Sequence, residues 1–179
     1  MAENWQKDKD DADVFMPQVK RILGPLLLVA SSDIEDRREN TDLRVLHARD
    51  QRIAVRVRRM IDAKGRDCFA AYQHQFTIRL ARTSGVETEL SKIAGGWGDW
   101  FFYGWGDYAT GRLRAFRIID LAAFRRRLVL NLPPVTVSDV PNRDGRSTLR
   151  GYLAAEFPFP CIVKEGCCPE LREGWTSAR

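Results

Sequence analysis

Asp42 opens one alternating stretch, "TDLRVLHA", and three arginines, Arg56, Arg58 and Arg59, crowd the next, "RIAVRVRR". An acid on one strand, with a carboxylate and a lysine on its neighbour, is how many metal-dependent phosphodiesterases hold their ion. Here arginine stands where the second carboxylate belongs. A guanidinium carries no lone pair to offer a cation and no removable proton near neutral pH. It does match a phosphate, which it can meet with two parallel hydrogen bonds. The chemistry on offer is therefore either a displaced metal site or a basic surface that binds phosphate without cutting it.

The elements that must carry these residues follow from periodicity. Val14, Phe15, Val19, Ile22, Leu23, Leu26 and Leu27 recur at spacings of three and four, which predicts a helix over 14–28 that Pro25 should kink or split near Gly24. Residues 41–48 and 52–59 alternate apolar and polar, the period of a half-covered strand, and the short link between them predicts antiparallel neighbours. "HQFTIRLAR" (74–82) predicts a third strand. "TSGVETELSKIAGGW" reads as turn, helix and stop, with Thr83 or Ser84 leading in and Gly95-Gly96 ending it. "DWFFYGW" (99–105) predicts a buried strand and "LRAFRIIDL" (113–121) another. Asp120 suits the N-cap of a last helix, "LAAFRRRLVL", whose arginines lie toward its favourable C-terminal half.

From Pro133 onward Pro, Gly, Asn and Asp multiply, and the expectation is an irregular segment packed on the rest through Tyr152, Leu153, Phe157 and Phe159. The expected organisation is a polar segment over 1–13, a core over 14–132 and the irregular segment over 133–179. The fold class is α/β, an α+β mixed sheet in the order α-β-β-β-α-β with an added β-α.

That order of elements resembles the core of the restriction-endonuclease-like, PD-(D/E)XK, superfamily. The strings "TDLRVL", "RIAVRVRR", "QFTIRLAR", "TELSKI", "GWGDWFFYGW" and "IIDLAAFR", in this order over roughly residues 33–127, are also similar to a family of phage and prophage proteins without a settled activity. The resemblance implies a nuclease-like fold, in which carboxylates hold Mg²⁺ and a lysine helps activate water. Residue by residue, Asp42 matches the strand acid, and Asp33, Glu35 or Asp36 the acid before it. The tripeptide itself is missing. Some members of the superfamily move the second acid or the lysine to the following helix, where this chain has Glu87, Glu89 and Lys92. The resemblance thus gives Asp42, Glu89 and Lys92 as catalytic candidates, with Asp42, Glu89 and Glu35 as Mg²⁺ ligands.

Plainer roles stand beside each. Asp42 suits a turn or an ion pair, Glu87 and Glu89 favour a helix N-terminus without chemistry, and Lys92 suits a solvated face. Arg56, Arg58, Arg59, Arg79 and Arg82 form a basic strand surface that suits nucleic acid, DNA or RNA. The aromatic run from Trp97 to Trp105 reads first as core, with Trp97 and Trp105, beside glycines, the members expected at the surface and Trp97 placed to stack on a base.

Composition bounds the rest. The chain has 179 residues and a net charge of +5, which permits a polyanionic partner without requiring one. Its longest apolar run, "PLLLVA", is too short to span a bilayer, and no secretory signal layout opens the chain. Four cysteines, two of them adjacent, do not make a disulfide framework, so reduced thiols and a cytoplasmic setting are expected. Their spacing is not that of a zinc site, and no phosphate-cradling glycine motif is present. The function expected is nucleic-acid binding, with Mg²⁺-dependent cleavage left open. The alternatives are an interaction protein that reuses such a fold to bind a host or phage protein, and a structural homo-oligomer.

Overall fold

The computed structural model describes residues 13–30, 43–45, 52–62, 64–142, 145–158 and 160–167, with 25–30 and 43–45 described by backbone alone. The protein is a mixed α+β chain in two compact units, residues 1–50 and 51–179. Among the described residues no helix is long and apolar enough to cross a membrane.

In the first unit α1 (Met16–Leu27) buries Val19 and Leu23, in line with buried Phe15 in the turn just before it. It runs unbroken through Gly24 and Pro25, where a kink was expected. Pro25 falls in the last turn, so its missing N–H removes a bond only where the helix is already ending. β1 (Leu28–Ala30) pairs antiparallel with β2 (Leu43–Val45).

The second unit holds two sheets. One has the order β3 (Ile53–Arg59), β5 (Trp100–Asp107), β6 (Arg112–Asp120), β9 (Ile162–Cys167), with β3 parallel to β5 and the other pairs antiparallel. The other is antiparallel throughout, in the order β4 (Gln75–Arg82), β8 (Ser147–Leu153), β7 (Val137–Pro141). The expected meander of residues 41–48, 52–59 and 74–82 is not formed among the described residues. β2 pairs with β1, β3 with β5, and β4 with β8. A parallel pair needs a crossover, and α2 (Cys68–Tyr72), β4 and α3 (Glu89–Ala94) supply it between β3 and β5.

β5 is buried from Phe101 to Gly106, which explains why "WFFYGW" lacks alternation: both faces of this central strand are covered. One face sends Phe101, Tyr103 and Trp105 into a core shared with Phe76 and Ile78 of β4, Tyr152 of β8 and Phe157. Phe76 lies 5.5 Å from each of the Tyr152 and Phe157 rings, stacked on the first and edge-on to the second. α4 (Leu121–Leu130) packs Leu121 and Phe124 into the same cluster. Its start is as expected: the Asp120 carboxylate accepts from the Ala123 N–H at 2.7 Å. On the opposite face Phe102 stacks on Phe116 at 5.7 Å.

The C-terminal segment expected to be irregular is largely sheet. Its described part supplies β7, β8 and β9, and β8 is the middle strand of its sheet. Tyr152 and Phe157 are buried and Leu153 half-buried as expected, while Phe159 lies outside the described residues.

Candidate functional site

β3 and β4 are edge strands of different sheets, and their side chains meet. The ladder places Arg56 opposite Tyr103 and Arg58 opposite Trp105, so both arginines share the core-facing side of β3. Val55 and Val57 take the other side with Phe102 and Gly104. Arg59 goes with the valines and lies over the Tyr108 ring at 4.1 Å, away from Arg56 and Arg58.

Arg56 is nearly buried, with 12% of its side chain exposed, and ends on α3 and β4 together. It donates from Nη2 to Glu89 Oε1 at 2.9 Å, with Oε2 in ion-pair contact at 2.8 Å, and from Nη1 to the Thr77 carbonyl at 3.2 Å. Glu89 in turn accepts the Arg79 backbone N–H at 3.0 Å. The ion pair therefore occupies two backbone groups of edge strand β4 as a neighbouring strand would. Beside it Arg58 donates to Thr77 Oγ1 at 3.1 Å, and Thr77 Oγ1 lies 3.3 Å from the Tyr103 hydroxyl.

Electrostatics sharpen the arrangement. Burial pushes the Glu89 carboxyl above the ordinary glutamate range, opposed by Arg56 first and then by the charges of Arg82 and Arg58. The guanidiniums of Arg56, Arg58 and Arg82 thus act on one carboxylate, which Arg79 meets through its backbone N–H. Among the described residues Arg58, Arg79 and Arg82 form no salt bridge, and Arg79 Nε is buried without any hydrogen bond.

Five of the residues singled out in the sequence therefore gather here: Arg56, Arg58, Arg79, Arg82 and Glu89. Lys92 does not join them. It lies exposed in the last turn of α3, and its side chain does not meet Glu89. The lead-in to α3 is Thr88, whose hydroxyl accepts from the Ser91 N–H, rather than Thr83 or Ser84. Asp42 and Glu35, with Asp33 and Asp36, lie outside the described residues. Among the described residues no three His, Cys, Asp or Glu side chains converge to hold a metal ion. With Glu89 held by Arg56 and β4, the described donors do not fit Mg²⁺, which takes several oxygen ligands.

A second feature lies at the other end of α3. Trp97 is 62% exposed, and the Arg52 guanidinium sits 5.6 Å from its ring centre. Asp99 fixes Arg52 by accepting its backbone N–H at 2.8 Å and its Nε–H at 3.4 Å. The turn that presents Trp97 depends on Gly98, whose φ is +80° and where a methyl group would stand 2.9 Å from Leu121 Cδ1. Trp105, the other tryptophan expected at the surface, is 3% exposed and packs edge-on against Phe69 at 5.7 Å. Its position in the central strand outweighs the neighbouring glycines.

Thr77 and Tyr103 were not anticipated as part of the site. Thr77 reads as an ordinary strand threonine between Phe76 and Ile78, and only the docking of β3 beside β4 gives it a role. No family model, curated protein or solved structure matches the chain.

Proposed function

We propose that the protein binds nucleic acid through the arginine seam between β3 and β4. The supporting observation is that Arg58, Arg79 and Arg82 form no salt bridge among the described residues while Arg56 and Glu89 pair with each other. Partly exposed guanidiniums without a carboxylate suit phosphate oxygens, and an exposed tryptophan beside an arginine suits a base. The resemblance to phage and prophage proteins with a nuclease-like core fits the same partner. Cleavage is not routed through the described residues, because Glu89 already serves Arg56 and strand β4.

Titration of labelled single- and double-stranded DNA and RNA at several salt concentrations tests this reading. Affinity should fall steeply as salt rises, because phosphates neutralised by arginine release counterions. Failure of every strand to bind at low salt, or binding indifferent to salt, removes the reading.

A second reading, association with another protein or a second copy, is favoured by the end of α4. Val129 and Leu132 are 84% and 79% exposed, with Leu130 between them also exposed. Sedimentation should then show self-association that Leu132→Ser weakens. A monomer at every concentration goes against the homo-oligomer.

A further inference from the structure

The face of the three-stranded sheet away from Phe76 and Ile78 carries an open groove of about 390 Å³, lined by Tyr72, His74, Gln75, Ser138 and Gly151 among others. That volume lies near the lower end of small-molecule sites. Strand register explains why the groove exists. Thr77 stands opposite Gly151, and Gly151 opposite Ser138, so a glycine occupies the middle of the row. A methyl group on Gly151 would stand 2.7 Å from Gln75 Oε1 and 2.8 Å from Ser138 Oγ. The Gln75 amide and the Ser138 hydroxyl therefore close over the glycine and form the floor of the groove. Among the described residues neither of these side chains has a hydrogen-bond partner. The Tyr72 ring, half exposed, stands at the rim.

The groove lies one strand repeat along β4 from the arginine seam. Gln75, Thr77 and Arg79 follow one another on the same face of β4, about 7 Å apart from one to the next. Thr77 Oγ1 is where Arg58 ends. A base held at Gln75 thus has its own phosphate one strand repeat away, beside Arg58.

The geometry points to this groove as a base-binding subsite for single-stranded nucleic acid. The base enters the groove with its edge toward the Gln75 amide and the Ser138 hydroxyl, Tyr72 offers a stacking face, and the adjoining phosphate reaches Arg58 and Arg79. An amide presents a donor and an acceptor together, the pattern with which glutamine reads a base edge. A base standing in this groove with a face on Tyr72 has left the duplex stack, so the strand is single. The inference rests on the nucleic-acid reading above and adds what the protein distinguishes.

The test is titration with short labelled homopolymers of each base, as DNA and as RNA, alongside an abasic strand of equal length at one salt concentration. The wild-type protein should separate its best from its worst homopolymer by about tenfold. The abasic strand should bind more weakly than the best homopolymer. Gln75→Ala and Gly151→Ala should erase the difference between bases and leave abasic affinity unchanged, whereas Arg58→Ala should weaken every strand. Gln75→Ala removes no buried group, so it carries the test where Gly151→Ala disturbs folding. Equal wild-type affinity for all homopolymers and the abasic strand overturns the subsite and leaves the arginine reading standing. Absence of binding to every strand overturns both.

Discussion

Arg56 and Glu89, 33 residues apart in sequence, form an ion pair that closes the free edge of strand β4. The guanidinium donates to the Thr77 carbonyl and the carboxylate accepts the Arg79 N–H, so the pair serves the backbone as well as itself. Removing the acceptor should therefore be costly. Glu89→Ala leaves Arg56 nearly buried without a counter-charge and the Arg79 N–H without a partner. Loss of a partner from a fully buried pair costs roughly 3–5 kcal/mol. Glu89 keeps 29% of its side chain exposed, which lowers the expectation to about 2 kcal/mol. The measurement is a shift in the urea midpoint at unchanged slope. An unmoved midpoint would mean that water serves the edge equally well.

The direction of the Glu89 shift separates charge from hydrogen bonding. Burial raises this carboxyl, so above the ordinary glutamate pKa, about 4.3, the folded protein holds more protons than the unfolded chain. Stability from this group is present below that value and declines as pH rises through the raised one. Glu89→Gln keeps an acceptor and cannot ionise. Its stability should match the wild type at the acid end, and the wild type should lose ground against it as pH rises. Asp139 works in the opposite sense. Two short hydrogen bonds from Arg150 hold it below the usual aspartate range, so its contribution is lost only as pH falls through that depressed value. Midpoints of both proteins across mildly acidic to neutral pH decide the matter, and parallel curves would contradict the burial-driven shift.

For nucleic-acid affinity the seam should behave as separable charges. Arg58→Ala and Arg82→Ala should each weaken binding and reduce the slope of log affinity against log salt by about 0.7 on a single strand. Arg59→Ala, on the far side of β3 over Tyr108, should change the slope least. Glu89→Ala should strengthen binding despite destabilising the fold, because it frees Arg56. Loss of binding in that variant would instead give the carboxylate a direct part. Trp97→Ala should cost about 1–3 kcal/mol of binding through lost stacking, with little effect on stability because the ring is mostly exposed.

The sequence disclosed local elements far better than their partners. Alternation placed β3 and β4, the aromatic run placed β5, and Asp120 announced the start of α4, because each is decided within a few residues. Pairing is not. Ile53–Arg59 could have met a neighbour across a turn, yet its parallel partner begins at Trp100, and nothing local marks a crossover that also donates β4 to another sheet. β8 was hidden for another reason: the Pro- and Gly-rich residues around it suggest coil, and Gly151 interrupts its alternation at the point where Gln75 and Ser138 leave no room for a side chain. The arginines were visible as a group by composition. That Glu89 answers Arg56, while Lys92 faces away, depends on where α3 meets β4.

Cys161 offers a test of the α4 start that needs no ligand. Its carbonyl accepts the Asp120 N–H at 2.8 Å, and its thiol is buried. Burial, reinforced by the negative Asp120 and opposed by Arg127, pushes that thiol up to about 12. An ordinary thiol ionises near 8.5, so in mildly alkaline buffer Cys161 should carry almost no thiolate, the form that alkylates. The stability linked to this group is present below the ordinary thiol pKa and lost only as pH rises toward about 12. Exposed Cys167 should react with iodoacetamide while Cys161 remains unlabelled, read by peptide mass spectrometry of the native protein. Asp120→Ala removes the cap on Ala123 at a cost of about 1 kcal/mol and takes a negative charge from beside the thiol. Both effects favour alkylation, so Cys161 labelling should accelerate in that variant while Cys167 labelling stays constant. Equal rates at the two cysteines in the wild type would show that the segment leading into β9 opens readily, contrary to its burial.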